Sequence, residues 1–342
     1  MRPEPHLHWN PSPIRGLLLA CVVLFIVAAP ALATPHLASV GFAELQVPNG
    51  AEPPLTVGVW YPVDGPPGVD GTVVLPDAPI AGAHHPLIVI SHGGGGSLES
   101  HADTAIALAR AGFVVAAPSH RGDTYDDQSQ VLNIWRRPEQ LRTVVTYMLE
   151  TWAGRDRLAP DAVGAFGFSN GGFTVLIAAG AVPDLTRTGA YCKANPAHDL
   201  CQVLAQHGAA PGAAFKPPPA GEWAHDPRIK AVVVAAPAYG FAFDQAGLAA
   251  VRAPVQLWGG AEDRHQPPPW FEDAVRGGLP RAPEFHRVAG AGHYDFLPPC
   301  GDALARINPE ICRDPPGFDR AAFHARFNAD ITRFFLQALS KP

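Results

Sequence analysis

The chain is short of charge, of cysteine and of long apolar runs, and each shortage excludes something. Charged residues make up 16% of the 342 and hydrophobic residues 47%, against a usual charged share of roughly 25%. A disordered polyelectrolyte is excluded, and a buried core is required. The net charge of −6 leaves no basic excess to attract a phosphate backbone, so nucleic acid is excluded as a partner. Gly (34) and Pro (38) make up roughly a fifth of the chain, below the share of about 25 to 30% that marks low complexity. They imply many turns in a folded body. Internal repeats and linkers of a single composition are also missing, so one large α/β domain accounts for the length as well as two small ones would.

Only the N-terminus carries an apolar run near the roughly 20 residues that a spanning helix needs. Arg2 and Arg15 precede the run from Gly16 to Ala33, which ends Ala31-Leu32-Ala33 behind Pro30. A basic region, an apolar region and an Ala-x-Ala site read as a signal peptide over residues 1–33, leaving Thr34 at the head of the mature chain. A retained anchor is the competing reading, but Pro30 interrupts the run. Cys21 would suit a lipoprotein cut, yet Val22 to Val27 behind it stay apolar. The mature chain, 34–342, is therefore expected to be exported, periplasmic or secreted, without a stable membrane anchor.

Export changes the meaning of the cysteines. Removing Cys21 leaves Cys192, Cys201, Cys300 and Cys312, an even number in an oxidising compartment, which predicts two disulfides. Three pairings are open, and the local closures are Cys192 with Cys201 and Cys300 with Cys312. Structural zinc favours Cys-x2-Cys spacing, which is missing, and no metal or organic cofactor is expected.

After extended segments at Leu37–Val47 and Leu55–Val63, short unbroken apolar runs recur at Pro86–Ser91, Phe113–Ala117, Ala162–Phe168, Ile229–Ala235 and Pro254–Trp258, with a strand-like Glu284–Val288 after them. Such runs read as strands buried on both faces. Helical patterns lie at Ser100–Ala111, Pro138–Trp152, Gly171–Ala181 and Arg320–Leu339. Alternating strands and helices imply a mainly parallel sheet with helices on both faces. The stretch from Pro183 to Arg228 breaks this rhythm. It reads as an insertion stapled by its cysteines, either a lid over a cleft or a tied-down surface loop.

Gly167-Phe168-Ser169-Asn170-Gly171 fits Gly-x-Ser-x-Gly, and its setting between an apolar strand and a helical run is what a nucleophile elbow needs. A serine hydroxyl requires a base, itself oriented by a carboxylate, and on such a sheet the chain order is serine, acid, histidine. Asp263 follows the strand ending at Trp258, with Glu262 in reserve. His293 sits in the Gly-rich loop after Val288. Ser91-His92-Gly93-Gly94-Gly95-Gly96 follows another strand, as oxyanion loops do. The expected donors are the N–H groups of Asn170 and Gly94, with Gly95 next in line. A phosphate loop would need a following Gly-Lys-Ser/Thr, which is missing. Asp123, Asp126 and Asp127 read as a solvated acidic loop rather than a cation site, and Trp60, Trp135 and Trp258 as core.

Together, Ile90-Ser91-His92-Gly93-Gly94, Phe113 to Arg121, Arg136-Arg137-Pro138, Gly167 to Gly172, Gly292 to Phe296 and the tail with Cys300, Cys312 and Gly317 to Ala322 resemble the α/β-hydrolase superfamily. More narrowly, they resemble exported dienelactone hydrolase-like proteins related to platelet-activating factor acetylhydrolase. The resemblance implies an α/β-hydrolase fold and a serine esterase acting on small carboxylic esters, lactones included. Dienelactone hydrolases proper use a cysteine where this chain has Ser169, a departure that bears on the lactone and leaves ester cleavage intact. Amide or peptide cleavage by the same residues, and a non-catalytic binding protein on the same fold, are the rival readings.

Overall fold

The computed structural model describes residues 39–65, 74–206 and 222–340. The signal-peptide segment, the first residues of the expected opening strand and part of the insertion, 207–221, lie outside the described residues. In chain order the elements are β1 (Ser39–Asn49), β2 (Glu52–Val63), β3 (Val74–Pro76), β4 (His85–Ser91), α1 (Ala102–Arg110), β5 (Val114–Pro118), α2 (Arg136–Glu150), β6 (Leu158–Phe168) and α3 (Asn170–Ala178). There follow α4 (Thr188–Ala194), α5 (Asp199–Gln206), β7 (Ile229–Ala235), α6 (Gln245–Leu248), β8 (Val255–Gly260), α7 (Glu272–Gly278), β9 (Glu284–Val288), α8 (Asp302–Ile307) and α9 (Arg320–Leu339).

One sheet in the order β3-β1-β2-β5-β4-β6-β7-β8-β9 carries the fold. The β1–β2 hairpin is antiparallel and joins β5 antiparallel, while every pairing from β5 through β9 is parallel. From β4 the chain first crosses to β5 and then returns to the other side of β4 as β6. That reversal opens a crevice beyond the carboxyl ends of β4 and β6, the place where open α/β sheets bind ligands. Ser91 pairs with Gly167, and Phe168 with Ala235, so the glycine loop and the serine turn leave the sheet side by side.

Alternation along each strand divides the core between the two faces. Leu87 and Val89 of β4 join Leu141, Val144 and Met148 of α2 and Phe173 and Leu176 of α3 on one side. Ile88 and Ile90 join Ala105 and Leu108 of α1 and Phe327, Ile331 and Phe335 of α9 on the other. Trp60 and Trp258 belong to this second cluster, and Trp135 packs against the first. The helix α2 starts two residues before Pro138. Proline is tolerated there because a first-turn N–H has no intrahelical acceptor to lose.

The insertion is more regular than its sequence suggested. Its described part contains α4 and α5, joined by a Cys192–Cys201 disulfide, and buries Leu185, Tyr191 and Leu204 in the first cluster. The second bridge joins Cys300 to Cys312 around α8. Among the described residues no helix is long and apolar enough to cross a membrane.

Phe335 is fully buried, and a Cβ on Gly164 of β6 would come within 2.7 Å of its ring. Phe335→Ala is expected to cost about 3 to 5 kcal/mol, the usual range for a buried Phe truncation, read by denaturant unfolding. A loss below about 1 kcal/mol would contradict this docking of α9.

Candidate active site

The turn between β6 and α3 holds Ser169 at φ +55°, ψ −117°. A non-glycine residue with positive φ stores strain that its surroundings must hold. Here the Ser169 N–H donates to Ala235 O, and Ser169 O accepts from the N–H groups of Phe173 and Ala238. The flanking glycines are sterically required. A Cβ on Gly167 would lie 2.1 Å from Gly171 O, and one on Gly171 would lie 1.8 Å from Ser91 O. The turn is thus pressed against the end of β4, with Ser169 only 8% exposed.

The loops after β8 and β9 bring Asp263 and His293 to this serine. His293 Nε2 lies 3.1 Å from Ser169 Oγ, and Nδ1 lies 2.8 Å from Asp263 Oδ2. An ionised carboxylate only accepts, so Nδ1–H donates to Asp263 and Nε2 is left to accept from the serine hydroxyl. Burial alone would raise the Asp263 pKa. The charge and hydrogen bond of His293, with the N–H groups of His265 and Gln266 on Oδ1 at 2.9 and 2.7 Å, hold it below the ordinary carboxylate value instead. Glu262 is exposed, so of the adjacent acids it is Asp263 that meets the imidazole. The His293 loop is held in turn by Asp295, which accepts from the Gly292 N–H at 2.7 Å and pairs with buried Arg320 at 3.0 Å.

On the other side of Ser169 runs the glycine loop. A Cβ on Gly93 would lie 3.5 Å from Ser169 Cβ, and one on Gly94 would lie 2.7 Å from Asn170 Nδ2. Among the described residues, the Gly94 and Asn170 N–H groups carry no hydrogen bond. The Gly95 N–H differs, because it donates to Asp123 Oδ1 at 2.9 Å. The reserve donor is therefore already engaged.

Behind this loop lies a polar layer that sequence reasoning missed. Asp123 is buried rather than solvated. It accepts from Arg137 Nη1 at 2.5 Å and from the Asn170 side chain at 3.3 Å, and Arg137 Nη2 donates to His92 O. His120 donates from Nδ1 to Gln140 and accepts the Ser91 hydroxyl at Nε2, while its own N–H donates to His92 Nε2. Burial first, and then the Arg137 charge, hold both imidazoles well below their ordinary pKa, so they act as neutral donor–acceptor links. The signal available in the sequence was Arg136-Arg137-Pro138, which named the arginine without its partner.

The insertion also reaches the site. Asp199 pairs with His265 Nδ1 at 2.7 Å, and His198 Nε2–H donates to His265 O at 2.9 Å. The His265 ring lies 5.3 Å from that of His293.

Beneath the acid loop, Glu272 is buried against Gly259. Desolvation raises its pKa from 4.5 to about 7, although Arg287 at 3.0 Å pulls the other way. The folded state therefore keeps a proton that the unfolded chain releases, so stability falls as pH rises from about 4.5 to about 7 and is level above that. In Glu272→Gln this fall, about 3 kcal/mol at full size, should be missing. Denaturant unfolding at pH 5 and pH 8 checks it, and parallel changes in both proteins would contradict it.

Three comparisons with known proteins bear on this arrangement. A family model described as alpha/beta hydrolase fold matches residues 86–206, the span from β4 through the glycine loop and serine turn to the end of α5. The structure is similar to that of a ferulic acid esterase from Streptomyces cinnamoneus, with a TM-score of 0.61, 20% sequence identity, and coverage of 92% of this chain and 94% of that one. No curated protein matches the sequence. With a mainly parallel sheet, helices on both faces and a stapled insertion, the chain has the α/β-hydrolase fold.

Proposed function

We propose that the protein is an exported serine esterase that cleaves small carboxylic esters through an acyl-enzyme, with Ser169 as nucleophile, His293 as general base and acid, and Asp263 as its orienting carboxylate. The observation that carries the reading is the continuous relay of 3.1 and 2.8 Å from the serine hydroxyl to the buried carboxylate. It starts from a serine held at positive φ on a strand-to-helix turn. The similar solved structure is itself named an esterase, which favours an ester as substrate.

In the first step Ser169 Oγ attacks the ester carbonyl carbon as its proton passes to His293 Nε2. The imidazolium so formed is stabilised by Asp263, which stays ionised. Negative charge gathers on the carbonyl oxygen, to which the N–H groups of Gly94 and Asn170 are the proposed hydrogen-bond donors. Aligned donors of this kind are worth most because they need no reorganisation at the moment of reaction. Collapse of the intermediate passes the His293 proton to the leaving alkoxide. Water, deprotonated by the same imidazole, then releases the acid and restores Ser169. The scheme calls on no metal or organic cofactor, and its partner is a small ester.

The narrower placement, with dienelactone hydrolase-like and platelet-activating factor acetylhydrolase-like exported proteins, rests on sequence resemblance. Residues 1–33 as a signal peptide belong with it, and the two disulfides are compatible with an oxidising compartment. In the same reading 183–228 is a lid-like insertion, supported by the contacts of His198 and Asp199 with His265.

The test is covalent. A fluorophosphonate should label the peptide containing Ser169 in the folded wild type and leave Ser169→Ala unlabelled. His293→Ala should lower kcat by about 10⁴-fold or more. Among p-nitrophenyl esters, short acyl chains should turn over fastest, and matched anilides far more slowly. Unlabelled, inert wild-type protein would leave a binding protein on a hydrolase fold, and equal turnover of anilides would make the enzyme an amidase.

A further inference from the structure

None of the chemical steps above uses Asp123, yet its carboxylate touches both walls of the proposed oxyanion site. Oδ1 accepts from the Gly95 N–H at 2.9 Å, one residue beyond the Gly94 donor. Oδ2 accepts from the Asn170 side chain at 3.3 Å, and Asn170 supplies the second donor from its backbone. Arg137 holds the same carboxylate at 2.5 Å and donates its other nitrogen to His92 O. The segment bearing the Gly94 N–H is therefore anchored at the His92 carbonyl on one side and the Gly95 N–H on the other, by two ends of a single buried ion pair.

A run of glycines needs such anchoring. Glycine has the widest conformational freedom and loses the most entropy when fixed. Gly95 already sits at φ +66°, so peptide units on either side have more than one accessible orientation. A buried ion pair is a poor source of net stability, because desolvation offsets its Coulomb energy. What it provides here is position.

We propose that Asp123, backed by Arg137, is the positioning residue of the oxyanion hole, holding the Gly94 and Asn170 N–H groups at the spacing that the tetrahedral intermediate requires. The inference rests on the esterase reading. It predicts a defect in transition-state stabilisation rather than in substrate binding.

The decisive variant is Asn170→Ala, which keeps the backbone N–H and removes only the side-chain link to Asp123. With a short p-nitrophenyl ester, kcat should fall about 10-fold while KM stays within about 2-fold. The inhibition constant of an alkyl boronic acid, which forms a tetrahedral adduct on Ser169, should rise by the same factor as kcat/KM falls. Binding of the product acid and the thermal midpoint should hold. Asp123→Asn keeps an acceptor for Gly95 but breaks the ion pair, and should lower kcat by about 100-fold. If that variant fails to fold, Asn170→Ala still decides. A folded Asn170→Ala enzyme with wild-type kcat and wild-type boronic acid affinity would overturn the proposal, as would a rise in KM at unchanged kcat. If the wild type itself shows no Ser169-dependent hydrolysis, the esterase reading fails instead, so the two failures are distinguishable.

Discussion

The site depends on how closely the turn after β6 approaches the end of β4. Gly171 lies so near Ser91 O that a methyl group would overlap it, and Gly167 is equally crowded by the turn's own backbone. Ser169 sits at positive φ within this contact, held by its backbone hydrogen bonds to Ala235, Phe173 and Ala238. The contact also brings the glycine loop leaving β4 against the residue that follows the serine. Strain in the turn is therefore not an isolated cost. The same packing sets Ser169 and the glycine loop beside one another at the crevice where the crossovers reverse.

From that fixed point the rest of the site is assembled by loops, and loops alone would be too mobile to hold it. Each is backed by a buried acid facing an arginine. Asp123 and Arg137 stand behind the glycine loop, Asp295 and Arg320 behind the His293 loop, and Glu272 with Arg287 beneath the strand end that carries Asp263. Asp263 itself is held by two backbone N–H groups of its own loop. The disulfide-joined insertion adds an outer tie, since His198 and Asp199 both contact His265, whose own N–H is one of those two donors.

Much of the architecture was legible from the sequence because β4 to β8 are built on apolar, largely buried runs, and such runs stand out from their turns. The serine turn was legible for a different reason, since its glycines are demanded by contacts under 3 Å and leave a fixed spacing behind them. The short helices α4 and α5 were not legible. At seven and eight residues they are too brief for a period to emerge, and their order comes from tertiary packing and a covalent bridge. Asp123 was misread for a related reason. Three acids close together look like a solvated loop, and only the fold brings one of them to Arg137, 14 residues away. The sequence named Gly94 ahead of Gly95, but the engagement of the Gly95 N–H by that same carboxylate was likewise hidden.

Buried acids in one protein can meet opposite fates, and the difference lies in the number of donors aimed at each. Asp263 accepts from an imidazole and two backbone N–H groups, which outweigh the desolvation that would otherwise protonate it. Glu272 has an arginine at 3.0 Å but lies near the negative charges of Asp263 and Asp273, and desolvation wins. The contrast suits their positions. Asp263 stays below the ordinary carboxylate value through the charge and hydrogen bond of His293 and, beside them, two backbone N–H groups of its own loop. Under Gly259, a carboxyl whose pKa is raised to about 7 places less negative charge beside Asp263.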